Sequence, residues 1–406
     1  MIPKGFFMLS KKLKIALCIS IILVPLFSAM FIGCSGEPKE LKIAVALLPA
    51  EQEQYKEILN DFTERTGIVV KLIAQQYAQI RQAVEAEVQA GKGELDVVEL
   101  DVYLLPLLRD KMQCLDTLIH NEQELKTNID EASWEVGLFG EKNELYYLPH
   151  RLNWQAMVYN SDILDKPPSN WEELMVIAKE HPGEIGLKCA RYEGLVCDIF
   201  PFLWQAGASM LKPDSPQALK TMQFLKELSQ YFNIAVKSYK ENSILQAQEH
   251  KEIVLHFNWP FVVPYLKNKG LLHQTMETAP LPEGPECKAT ILGGGYLGIP
   301  KTAPNPHKAA RLIQFLTSAE VQKELVKKLG WFPVRKEGWS AISDENKVDF
   351  KGYFEMRKYV KARPNITSYP QISQIWQKGF YRIVFEDAEP KTVLQEMQKK
   401  IDALLE

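Results

Sequence analysis

From Leu41 onward the chain alternates β-branched apolar runs with stretches of helical period, and that alternation restricts it to a sheet of parallel neighbours covered by helices. Leu41 to Leu47 is a short run rich in Ile and Val, after which Tyr55, Ile58, Leu59 and Phe62 recur at helical spacing until Gly67 stops the helix. Ile68 to Ile73 reads as the next strand, Ile80, Val84 and Val88 mark a second amphipathic helix closed by Gly91, and Leu95-Asp96-Val97-Val98 is a third buried strand. Strands separated by helices run parallel and the helices cover both faces, so this order predicts an α/β lobe built on a mainly parallel sheet.

Ahead of this pattern, Lys11-Lys12-Leu13-Lys14 precedes an apolar stretch from Ile15 to Ile32 and then Gly33-Cys34-Ser35. A basic segment, an apolar segment and a small residue before cysteine have the layout of a lipoprotein signal peptide, residues 1–33, with Cys34 lipidated and 34–40 as a tether. Phe31 stands where bacterial lipoboxes usually have Leu, and the stretch is just long enough to span a bilayer. An ordinary signal and an uncleaved anchor are therefore the alternatives. On each of these readings the remainder is expected outside the cytoplasm, lipid-anchored to the membrane on the first.

About 370 residues follow Cys34, more than one core usually holds, which points to two domains. A net charge of -3 with 24% charged residues provides no polycationic face for nucleic acid and no acidic tail. Small molecules and proteins remain as partners. Cys114, Cys189, Cys197 and Cys287 lie beyond Cys34; outside the cytoplasm they can pair in three connectivities, of which Cys189 with Cys197, the nearest in sequence, is the first choice. Neither a second close cysteine pair nor a histidine pair at ligand spacing accompanies them, so no metal is expected.

The alternation continues through the middle of the chain. Ser169 with Glu172 reads as a capping box before Leu174 and Ile177, Ser215-Pro216 opens a helix carrying Leu219, Met222, Leu225 and Leu228, and Ile253 to Phe257 reads as a buried strand. Further helices start at Asn305-Pro306, Ser318 and Pro390. No repeat, heptad pattern or low-complexity linker interrupts the series, and a monomer is expected.

Several segments, in order, then narrow the reading. Phe62-Thr63-Glu64-Arg65-Thr66-Gly67-Ile68-Val69-Val70, Leu145-Tyr146-Tyr147-Leu148-Pro149, Met157-Val158-Tyr159-Asn160, Phe257-Asn258-Trp259-Pro260 and Gly293-Gly294-Gly295-Tyr296-Leu297-Gly298-Ile299-Pro300-Lys301 all occur. So do Pro168-Ser169-Asn170-Trp171-Glu172-Glu173-Leu174, Ala279-Pro280-Leu281-Pro282-Glu283-Gly284 and Phe332-Pro333-Val334-Arg335. Together they resemble the extracellular solute-binding proteins of ABC importers, family 1, the sugar-binding, maltose-binding-protein-like lipoproteins. The resemblance implies two α/β lobes of the periplasmic-binding-protein type, a hinge, a ligand in the interlobe cleft and permease subunits as partners. It implies chain crossings near His150-Arg151, Glu283 and Phe332, giving residues 41–150 with 284–331 to one lobe and 151–283 with 332–406 to the other.

A sugar cleft needs flat aromatic faces for pyranose C–H groups and charged or amide groups for bidentate bonds to hydroxyls. Trp259 follows a predicted strand and precedes Pro260, which places it at a sheet's opening edge; its alternative is packing under the next helix. Tyr296 follows three glycines, where backbone, Gly294 included, can approach a ligand; relatives more often carry Trp at that position. Asp101 closes the third strand and is either a hydroxyl ligand or a helix cap. Arg151, Asn153 and Trp154 lie at the expected crossing, and Trp154 alternatively braces the hinge. Trp331 and Arg363 are candidates by matching position, with Gln76 and Tyr77 as weaker ones.

Gly293, Gly295 and Gly298 satisfy G-x-G-x-x-G, but Ile299-Pro300 follows where a helix should begin, so no dinucleotide or other cofactor is expected. No G-x-S-x-G, H-E-x-x-H or Walker lysine is present. The adjacent pairs Glu172-Glu173 and Glu386-Asp387 point apart and do not form a glycosidase dyad. The expected function is therefore sugar or oligosaccharide binding without turnover. The alternatives are the same fold binding a polyamine, thiamine, iron, a glycerol phosphate or a peptide, and an extracellular glycosidase.

Overall fold

A computed structural model describes residues 40–406 except 130 and 343; the expected signal peptide, Cys34 and most of the expected tether lie outside the described residues. Strand β1 (Glu40–Val45), helix α1 (Gln52–Thr66), β2 (Val69–Ala74), α2 (Tyr77–Ala90) and β3 (Val97–Asp101) follow in the expected order. Both helices end on glycines in the left-handed region, Gly67 at φ 70° and Gly91 at φ 64°, where a side chain would be strained. β1 pairs in parallel with β2 and with β3, so the carboxyl ends of all three strands lie along one edge.

Strands β4 (Leu148–Trp154) and β5 (Ala156–Asn160) come next, then helices α3 (Trp171–Glu180) and α4 (Glu193–Gln205), β6 (Leu255–Asn258), β7 (Met276–Ala279) and the long β8 (Thr290–Gly298). Helices α5 (Pro306–Leu316) and α6 (Ala319–Leu329), the short β9 (Val360–Lys361), α7 (Tyr369–Val384) and α8 (Pro390–Leu405) complete the chain. The α/β class expected from the sequence holds, with one refinement. The second sheet, β6-β5-β7, is antiparallel throughout, because β5 continues β4 after a single residue and enters the lobe against the direction of β6.

The described chain forms one compact unit containing separate cores. Leu41, Val97, Leu148, Leu297 and Trp331 belong to a first-lobe core, whereas Trp154, Ile291, Phe332 and Trp376 belong to a second-lobe core. β4 and β8 pass from one to the other as an antiparallel pair, Leu292 opposite Trp154 and Leu297 opposite Leu148, with a register shift between Gly295 and Tyr296. The adjacent residues Trp331 and Phe332 make the third passage, and Leu152 and Phe332 exchange backbone hydrogen bonds of 3.1 and 3.2 Å. One crossing thus runs along β8 rather than near Glu283, whose backbone is held within the second lobe by Ser169 and Trp171.

The helices start within a residue of their sequence signals. Ser215 caps its helix by accepting from Ala218 N–H, as its sequence implies. At α3 the cap is Asn170, accepting from Glu173 N–H at 2.9 Å, while Ser169 bonds the Glu173 carboxylate, so the box sits one residue later than Ser169-Glu172. Asn305 is turned to Asp96 instead of capping α5.

His256 on β6 is fully buried near the Lys188–Asp198 ion pair. Burial, reinforced by Lys188, pushes its pKa down to about 3. The unfolded chain therefore takes up a proton below the ordinary histidine value that the folded chain refuses, and stability falls as pH drops through that window. We expect His256 to account for a loss on the order of 3 kcal/mol between pH 7 and pH 4. Urea unfolding at the two pH values checks this, because His256→Gln should flatten the difference.

Candidate functional site

The opening edge of the first sheet faces the second lobe through Asp101, the last residue of β3. Arg363, two residues beyond β9, is 4% exposed. Its Nη2 donates to Asp101 Oδ1 at 2.5 Å and its Nη1 to Glu193 Oε1, at the start of α4, at 2.9 Å. Glu193 is held in turn by the hydroxyls of Tyr369 (2.5 Å) and Ser373 (2.6 Å). The guanidinium lies 4.9 Å from the ring centre of Tyr103, which packs 5.3 Å from Tyr369. Burial raises the Asp101 carboxyl to about 6 although Arg363 pulls the other way. Arg363 Nε is buried without a hydrogen-bond partner.

Beside this bridge lies the glycine run of β8. Leu292 C=O faces Arg363 Nη2 at 3.4 Å, and Gly293 stands opposite Asn153 of β4. A Cβ on Gly293 would come within 2.8 Å of the Trp259 ring, so glycine is what lets that indole lie on the ribbon. Trp259 is half-buried at the end of β6, its carbonyl accepting from Tyr353 O–H at 2.9 Å. Asn153 is also half-buried, and its Oδ1 is buried without a partner. Trp259, Asn153, Asp101 and Arg363 are thereby brought around Leu292 and Gly293. Gln76 is exposed at the start of α2, at the opening edge.

The other expected contacts are interior. Tyr296 is 1% exposed, with its hydroxyl donating to Ser133 C=O. Trp154 stacks on Phe332 at 4.3 Å in the second core and donates to Tyr353 C=O. Gly294 is buried, and a Cβ there would lie 3.0 Å from Arg151 C=O. Arg151 turns into the first lobe: Nε meets Glu99 Oε1 at 2.8 Å, Nη2 meets Ala46 C=O at 2.7 Å and Tyr77 O–H at 3.0 Å, and the guanidinium stacks 4.0 Å from Trp331. Trp331 donates to Glu51 at 2.8 Å. Tyr296, Trp154, Arg151 and Trp331, assigned from sequence to ligand, are thus engaged by interior partners.

No sequence motif marks this cluster, although Glu99 is a signal for it, a carboxylate in the middle of a buried strand. Burial tends to raise the Glu99 carboxyl, but Arg151 and His150 overcome it and leave it below the usual range. Burial raises Glu51 against the same guanidinium. A Cβ on Gly295 would sit 1.6 Å from Glu99 Oε1, so the third glycine of the run makes room for the carboxylate.

The disulfide expectation is corrected. Cys189 and Cys197 are buried free thiols: Cys197 Sγ faces Arg363 Nη1 at 3.9 Å, whereas Cys189 lies beside the Lys188–Asp198 pair. Cys114 and Cys287 are free as well. Among the described residues no group of His, Cys, Asp and Glu is arranged to hold a metal, and no helix is long and apolar enough to cross a membrane.

Two lobes joined by three passages, with aromatic and charged groups converging between them, have the architecture of a cleft-type small-molecule receptor. The chain belongs to the bacterial extracellular solute-binding protein family, which it matches over residues 57–341. A probable ABC transporter-binding protein of Deinococcus radiodurans is 24% identical over 380 residues, 86% of this chain and 90% of that one. Among solved structures, the maltose-bound MalE3 of T. maritima superposes with a TM-score of 0.80 at 23% identity, covering 90% of this chain and 99% of that one. A solute-binding protein of Thermotoga lettingae TMO bound with alpha-D-tagatose gives 0.80 at 24%, covering 90% and 100%. The Thermus thermophilus maltotriose binding protein gives 0.77 at 17%, covering 90% and 100%. These likenesses establish the two-lobed fold.

Removing one partner of a buried ion pair strands the other charge, whereas an exposed pair is solvated when broken. Arg151→Met should therefore cost about 3 to 5 kcal/mol in urea unfolding. Arg65→Met, which breaks the exposed contacts to Asp61 and Glu320, should cost about 1 kcal/mol or less.

Proposed function

We propose that this protein is a membrane-tethered extracytoplasmic receptor of an ABC importer, that it binds a sugar or oligosaccharide between its lobes, and that it delivers this solute to the permease subunits. Cys34 is the lipidated residue in this reading. The observation that carries the sugar assignment is the half-buried Trp259 ring lying on Gly293, beside the unpaired Asn153 Oδ1 and the Asp101–Arg363 pair. An indole face complements the C–H face of a pyranose, and an amide, a carboxylate and a guanidinium within reach of it supply directional bonds to the hydroxyl rim. Solved relatives of the same fold bound to maltose, alpha-D-tagatose and maltotriose support the same class.

The mechanism is binding and lobe closure, with no covalent step. A solute shifts the lobes toward closure only through contacts stronger in the closed state, and residues from both lobes converging on one spot supply such contacts. Asp101 and Glu193 are acidic groups that would suit an amine-bearing solute, but Arg363 engages both.

Thermal unfolding against maltose, maltotriose, monosaccharides, polyamines, thiamine and phosphate esters tests the assignment. A saccharide present at a thousand times its dissociation constant should add about 4 kcal/mol of stability, and Trp259→Ala should remove the shift. A shift with polyamines, thiamine or a phosphate ester and none with any saccharide would overturn it.

A further inference from the structure

Lys188 and Asp198 form an ion pair with no exposed side-chain surface inside the second lobe, Nζ lying 2.6 Å from Oδ1. Neither belongs to the cluster around Gly293, but the pair touches the framework that presents it. Lys188 Nζ also donates to Phe257 C=O at 2.7 Å, near the end of β6 and two residues before Trp259. Asp198 Oδ1 also accepts from Gln155 Nε2 at 3.0 Å, and Gln155 is the single residue between β4, which carries Asn153, and β5. Asp198 itself lies on α4, whose first residue, Glu193, holds Arg363. Its other oxygen accepts from Lys188 N–H at 2.8 Å, which fixes the helix to the backbone that bears the lysine. The elements that present Trp259, Asn153 and Arg363 thus meet at one buried pair.

Stability alone does not account for this arrangement. A buried ion pair must recover the cost of desolvating two charges, and apolar residues of similar volume often do as well or better. Beside this pair, Gln155 Oε1 and His256 Nε2 are buried without hydrogen-bond partners, so the polar filling of this space is not the least costly one. What the charges supply and apolar side chains do not is direction, because short charge-assisted bonds fix both distance and angle. An apolar core keeps its stability through small shifts and loses uniqueness first. We infer that Lys188 and Asp198 are positioning residues for the solute site, holding the Trp259 ring, the Asn153 amide and the Glu193–Arg363 pair in one mutual arrangement before a solute arrives. The purpose of that arrangement rests on the receptor reading, while the arrangement itself is a property of the chain without solute.

Fluorine NMR of the protein labelled with fluorotryptophan tests this in the absence of any solute. Lys188→Met combined with Asp198→Leu removes both charges together and strands neither. The double variant should keep a urea midpoint close to that of the wild type. Its Trp259 line, identified by its loss in Trp259→Phe, should nevertheless move by more than a line width or split, while the line of Trp134 in the first-lobe core stays in place. An unmoved Trp259 line would overturn the inference, as would equal displacement of the Trp134 line. Lys188→Gln with Asp198→Asn, which removes the charges at nearly constant shape, is read the same way if the first variant does not unfold cooperatively. Where the wild type binds maltotriose, the double variant should bind it about tenfold more weakly, the equivalent of one misaligned hydrogen bond, and equal affinity would count against positioning. A wild type that binds no saccharide would overturn the sugar reading and leave the fluorine result to decide this one.

Discussion

The antiparallel pairing of β4 with β8 is the constraint on which the rest of this structure depends. Both strands begin in one lobe and end in the other, so the ladder that completes the first sheet is also part of the hinge. The glycines of β8 make this geometry possible in two different ways. Gly293 admits the Trp259 ring from the second lobe, and Gly295 admits the carboxylate of Glu99 on the neighbouring strand β3. A methyl group at either position would meet an occupied space, so the run is a packing requirement and not a flexible linker.

Two buried arginines flank this ribbon and do different work. Arg151 is enclosed by groups of its own lobe and ties β4 to β3, to the end of β1 and to Trp331, so that two passages share one electrostatic anchor. Its partners move with it when the lobes move. Arg363 divides its fork between lobes, so lobe motion must make or break one of its bonds. The contrast follows from where the carboxylates lie rather than from the arginines, since both guanidinium groups are desolvated and doubly paired. An anchor of this kind resists opening within a lobe, whereas a divided fork responds to separation of the lobes.

Much of the fold was legible because its signals are local. Gly67 and Gly91 stop their helices, Ser215 caps its own, and the Ile- and Val-rich runs became the first-lobe strands. The site was only partly legible, because sequence places a residue at a strand end without saying which lobe its side chain enters. Trp259 and Asp101 lie where strand ends meet the interlobe space, but Tyr296, Trp154 and Trp331 point into cores, and Arg151 is taken up by carboxylates distant in sequence. Glu193 carried no motif; it is defined by Arg363, Tyr369 and Ser373 arriving from 170, 176 and 180 residues away. The antiparallel second sheet was likewise hidden, since strand direction there depends on how β5 enters from β4.

The central claim is that one solute site is assembled from both lobes around Trp259, Gly293 and Asp101. Hydrogen–deuterium exchange with and without saturating maltotriose tests it most directly, since a solute gripped from two sides slows local opening on both. Residues 102–105 in the first lobe and 259–263 and 363–369 in the second should be protected together. Protection confined to one lobe, or none under any saccharide of the maltose series, would contradict it.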